Sequence, residues 1–201
     1  MKSNELDIIP AKIEEIKDGD TLQVRPKKGN GFREIEWLRL RGVDTPEQSH
    51  NDKAERELDR AELHKRTFYN LGRKATAKTT ELVEGRKLFL HCERREGVDP
   101  PYLYHNRFRL LAYVTLDSPD GADLGEQLIR MGYALVWPRG NSSPRYTHPR
   151  IEHYLSACNR ARKEQEGLWT KGLDIIGNKP DAIKNCSCEL SKYRPTVRPD
   201  V

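Results

Sequence analysis

Residues 39 to 47 read Arg39-Leu40-Arg41-Gly42-Val43-Asp44-Thr45-Pro46-Glu47. An arginine on an apolar-flanked strand can hold a phosphate, one carboxylate in the turn beyond it can bind a cation, and a second can take a proton from water. Pro46 fixes its own φ and biases Thr45 away from helical backbone, so the turn stays extended. Strict alternation, however, puts Arg39 on the face of Trp37 and Asp44 on the opposite face. If both are to meet over one phosphate, the strand must bulge or end near Gly42.

The elements that must position these groups are legible from period and punctuation. Residues 11–16 and 21–25 read as strands around the Asp18-Gly19 hairpin signal, and a glycine turn at 27–31 leads into a third strand over 32–43. Residues 53–83 switch to helical spacing, in two pieces joined near Gly72. Residues 87–93 and 109–116 are strands, separated by a loop over 97–106. Asp123 with Glu126 three positions on resembles a capping box for a helix buried through Leu124, Leu128 and Met131. A short run at 133–137 and a polar loop at 138–148 follow. Pro149 then opens a last amphipathic helix ending at Gly167. Three strands, a helix, two strands and two helices predict an α+β chain, mainly β: a five-stranded OB-type barrel with about three helices around it. The domain is expected over residues 10–172, with 173–201 a poorly ordered C-terminal tail.

Composition sets limits on this reading. The 201 residues are 35% hydrophobic and 33% charged, with 36 Lys and Arg against 31 Asp and Glu, a net charge of +5. That balance suits an acidic partner such as nucleic acid without demanding one. No apolar stretch is long enough to span a membrane. The first residues lack the apolar core of a signal peptide, so the expectation is a cytoplasmic protein unless a leader has been removed. Cys92, Cys158, Cys186 and Cys188 are too sparse for a disulfide scaffold, and Cys92 and Cys158 read as small buried thiols. Zinc at Cys186 and Cys188 lacks a second ligand pair.

The motifs together resemble the staphylococcal nuclease, or thermonuclease-like, family. The matching pieces are Asp18-Gly19-Asp20-Thr21, Arg39 through Glu47, Gly85-Arg86-Lys87-Leu88, Arg109 through Val114, Leu128 through Ala134, and Gly167-Leu168-Trp169. They occur in the family's order. The resemblance implies a metal-dependent hydrolase that cleaves phosphodiester bonds of DNA, RNA or both and leaves 3′-phosphate products. It implies Asp20, Asp44 and the Thr45 carbonyl as ligands of a cation, usually Ca²⁺, with Mg²⁺ the alternative. Hard oxygen donors suit either ion. Glu47 takes the role of the group that activates water, and Arg39 and Arg109 that of the pair holding the phosphate. Family members often have glycine where this chain has Phe108, and a second arginine, Arg107, is the alternative to Arg109. Nucleic acid is the expected partner, with no membrane and no protein partner evident and a monomer expected. The competing reading is a non-catalytic module of the same fold that binds nucleic acid or protein.

Overall fold

The computed structural model describes residues 6–52, 54–55, 65–94, 97, 102, 104–105, 108–136 and 150–169. The strands are β1 (Leu6–Asp18), β2 (Thr21–Lys28), β3 (Gly31–Phe32), β4 (Glu36–Leu40), β5 (Val43–Asp44), β6 (Leu88–Glu93), β7 (Tyr104–His105), β8 (Arg109–Leu116) and β9 (Leu135–Val136). The helices are α1 (Lys65–Val83), α2 (Leu124–Arg130) and α3 (Arg150–Glu164), followed by a 3₁₀ turn at Gly167–Trp169.

Five strands close into a barrel. Their hydrogen-bonded order is β1, β6, β8, β4, β2, and β2 pairs back onto β1. Closure depends on β1, whose residues 6–11 face β6 while residues 11–18 face β2. Register shifts between Ile13 and Glu15 and between Ile16 and Asp18 let this long strand curl from one neighbour to the other. One pair, β4 with β8, is parallel, a crossover that the intervening α1 makes possible. β3 and β7 extend β2 and β8, and β5 and β9 form a separate ribbon.

Alternation fills the interior. Leu22 and Val24 from β2, Leu38 and Leu40 from β4, and Leu110, Ala112, Val114 and Leu116 from β8 are all buried in one cluster. Leu124, Leu128 and Ile129 of α2 and Tyr154, Leu155 and Cys158 of α3 cap it. Asp123 accepts from the Glu126 amide at 3.0 Å, the expected capping bond. It also takes the Tyr154 hydroxyl at 2.8 Å and Arg150 at 2.7 Å, so the α2 cap is the joint between the two helices. Arg150 further donates to His91 Nδ1 at 3.1 Å, which leaves Nε2–H for Thr115 Oγ1 at 2.9 Å. Burial, then the Arg150 charge, pushes the His91 pKa down to about 4, so the imidazole stays neutral.

Several expectations are corrected. β1 runs from Leu6 to Asp18 rather than over the expected 11–16, and the expected third strand is three pieces, β3, β4 and β5. Residues 65–83 form one uninterrupted helix with Gly72 inside it, not two pieces meeting there. Cys158 is engaged in a disulfide rather than carrying a free thiol. Cys92 is free and buried, its pKa pushed up to about 12 by burial. The loop at 138–148, the tail at 173–201 with Cys186 and Cys188, and Arg107 lie outside the described residues. Among the described residues, no helix is long and apolar enough to cross a membrane.

Candidate active site

The strand bearing Arg39 ends where the chemistry requires. β4 stops at Leu40, Gly42 adopts a φ of 76°, and the chain resumes as β5 paired with β9 instead of continuing along the barrel. A positive φ costs glycine little. The break cancels the alternation, and Arg39 meets Asp44 after all. Arg39 Nη2 donates to Asp44 Oδ1 at 2.7 Å and to the Val43 carbonyl at 3.4 Å, while Nη1 donates to Asp20 Oδ1. One planar guanidinium thus bridges two carboxylates that lie 24 residues apart in sequence. Asp20 is 1% exposed and Asp44 7%. Burial opposes the charge on Arg39, but Asp20, Asp44 and Asp18 outweigh it and raise its pKa, so the guanidinium is held firmly charged.

Asp20 is fixed from every side. Its Oδ2 accepts the Thr45 amide at 2.8 Å, its Oδ1 accepts the Thr21 hydroxyl at 3.1 Å, and its own amide donates to Asp18 Oδ1 at 3.1 Å. Asp18 is therefore the turn former and Asp20 the inward carboxylate. Gly19 is required here: a Cβ on it would lie 2.8 Å from Thr45 Cγ2. Arg109 joins from β8, its Nη1 donating to Thr21 Oγ1 at 3.4 Å. Asp20, Arg39, Asp44, Thr45 and Arg109 are thus brought together around the turn at residues 18–21.

Helix α1 holds both turns in place. Thr79 Oγ1 donates to the Gly19 carbonyl at 2.7 Å, clamping the hairpin that carries Asp20. Seven residues earlier on the same helix, Gly72 packs against the backbone of Glu47, and a Cβ there would sit 2.3 Å from the Glu47 carbonyl oxygen. Close approach, not a helix break, explains this glycine. Gln48 ties the same loop to the Lys17 carbonyl.

Glu47 is half-buried, and its Oε2 accepts the Asn51 side-chain amide at 2.8 Å. The other atom of that amide, Oδ1, accepts the Ala54 backbone N–H at 2.8 Å, so Asn51 caps a helical turn and orients a carboxylate at once. The sequence alone gives no role at the site to Asn51, Thr21, Gly72 or Thr79, and Gly72 reads there as a joint between helices. A capping signal was available for Asn51, since Asn51-Asp52 precedes the helical period. Nothing local marks Gly72 and Thr79, whose partners are distant in the chain, and Thr21 bonds its neighbour Asp20 but takes Arg109 from far along the sequence.

The donors fit a hard cation. Asp20 and Asp44 offer carboxylate oxygens, and the Thr45 backbone is docked beside them, with no thiolate or imidazole in the set. Among the described residues no group of three or more His, Cys, Asp and Glu could hold a metal ion. A cation here would rest on two carboxylates completed by neutral oxygens, a set that Ca²⁺ accepts.

A search of curated proteins returns no match. The family profile described as staphylococcal nuclease homologue matches residues 37–171, two-thirds of the chain, from the strand of Arg39 to just past the 3₁₀ turn. With that match and the closed five-stranded barrel beneath it, the chain belongs to the staphylococcal nuclease homologue family.

Proposed function

We propose that the protein is a metal-dependent nuclease that hydrolyses phosphodiester bonds of DNA, RNA or both. The observation that carries this reading is the single guanidinium of Arg39 shared by Asp20 and Asp44, with Arg109 reaching the adjacent Thr21. Arg39 and Arg109 bind the phosphate and follow the negative charge that grows on its oxygens, a task for which planar donors suit better than lysine. Glu47 takes a proton from water as the water oxygen bonds to phosphorus, the bond to the 5′ oxygen breaks in line, and that oxygen takes a proton from solvent, leaving a 3′-phosphate and a 5′-hydroxyl. Asp20, Asp44 and Thr45 would hold Ca²⁺, or Mg²⁺ in its place, which supplies charge neutralisation at the phosphate.

Purified protein incubated with plasmid or heat-denatured DNA is expected to degrade it in millimolar Ca²⁺ and not in EDTA. Folded protein that leaves both substrates intact in Ca²⁺ would instead mark a non-catalytic binding barrel. Asn51 gives a second check, because its two roles separate by substitution. Asn51→Asp keeps a good helix cap but replaces the donor to Glu47 with a like charge. Turnover is expected to fall about tenfold or more, with the melting temperature unchanged. Equal losses of stability and turnover would reduce Asn51 to a cap.

A further inference from the structure

The outward face of β4 carries a second feature beside the arginines. Leu38 and Leu40 point into the barrel, so Trp37 and Arg39 point out, two residues and about 7 Å apart. In the sheet register Trp37 lies between Gln23 of β2 and Arg109 of β8, while Arg39 lies beside Thr21. The indole therefore flanks both arginines, on the strand before Arg39 and so away from Asp44. It is 37% exposed, and Phe108, immediately before Arg109, is 80% exposed. Ile35 and Phe32 are also exposed, the latter under the Lys12 ammonium at 4.5 Å.

Scattered exposed apolar side chains are ordinary, but an exposed indole in register with one arginine and two residues from another marks a place where a flat apolar group can lie beside a cationic site. The charge along β2 to β4 favours a polyanion: residues 21–40 carry five Lys and Arg against two Glu, of which Arg25 is paired with Glu14 and Arg39 with Asp20 and Asp44, while Glu36 is engaged by the Tyr104 hydroxyl at 3.0 Å. We propose that Trp37 is a stacking platform for an unpaired nucleobase of the nucleotide next to the bound phosphate. The proposal rests on the reading of Arg39 and Arg109 as the phosphate holders. A base can lie on the indole only when it has left a duplex stack, so the occupant is a single-stranded segment.

The test is binding by fluorescence anisotropy in EDTA, which prevents cleavage. The probes are a fluorescein-labelled oligothymidylate and an abasic oligomer of the same length. Wild-type protein is expected to prefer the base-bearing strand by about tenfold, and Trp37→Ala to bind the two strands nearly alike. Trp37→Tyr should restore most of the preference. A preference that survives in Trp37→Ala, or wild-type protein that never distinguishes the strands, overturns the platform. Protein that shows the Trp37-dependent preference but does not cleave in Ca²⁺ keeps the platform and loses the nuclease reading. Protein that cleaves without such a preference does the reverse.

Discussion

Glu47→Gln is expected to lower turnover by about 10² or more while single-stranded DNA still binds. The substitution keeps the side chain's size, and its amide oxygen can still accept from Asn51 as Glu47 Oε2 does at 2.8 Å. Its backbone contact with Gly72 does not change either, so the loop should stay where α1 places it. What disappears is a group able to take a proton from water. Steady-state cleavage of heat-denatured DNA in Ca²⁺, set beside binding in EDTA and a melting curve, separates the three quantities. Near-normal turnover in a folded variant would remove Glu47 from the reaction. A fall in binding or in melting temperature as large as the fall in turnover would make the carboxylate a structural element of the loop.

The site was legible where local rules and tertiary need agreed. Asp18-Gly19 marks a tight hairpin, which delivers Asp20 to the barrel mouth, and the apolar run after Arg109, closed by the turn residues 117–121, gives β8 its bounds. The conflict between Arg39 and Asp44 was itself informative: two groups needed on one side of a strand with period two require a break, and Gly42 supplies it. Gly72 shows the opposite case. Local rules treat a glycine within a helical period as punctuation. Here the missing Cβ makes room for the carbonyl of a residue 25 positions away, a contact that no window of sequence contains. Thr79 and Thr21 are similar, because a threonine in a helix or at a strand start is unremarkable until its distant partner, Gly19 for the one and Arg109 for the other, is known. The disulfide of Cys158 was missed for a related reason: a cysteine on an apolar helix stripe looks the same whether bonded or free.

Arg39→Ala should be the most disruptive single change, because the side chain serves the fold and the reaction together. It is only 13% exposed and lies between two carboxylates that are more buried still. Removing one partner from a buried ion pair costs about 3–5 kcal/mol, since the remaining charge stays desolvated. A melt in EDTA is therefore expected to drop by about 10 °C for a domain of this size. Cleavage should fall at least about 10²-fold, the scale on which a donor to the developing phosphate charge acts. Two measurements keep these effects apart. Millimolar Ca²⁺ should raise the melting temperature of Arg39→Ala by more than it raises that of wild type, because a ligand that binds the folded state stabilises it and the cation takes over the carboxylates the guanidinium had shared. Adding Asp44→Asn to Arg39→Ala should recover part of the stability in EDTA, by removing one of the two like charges, yet restore no cleavage. Stability and turnover returning together would mean that Arg39 acts only as the counter-ion of Asp20 and Asp44. A variant that melts like wild type in EDTA would show that the carboxylates do not depend on Arg39.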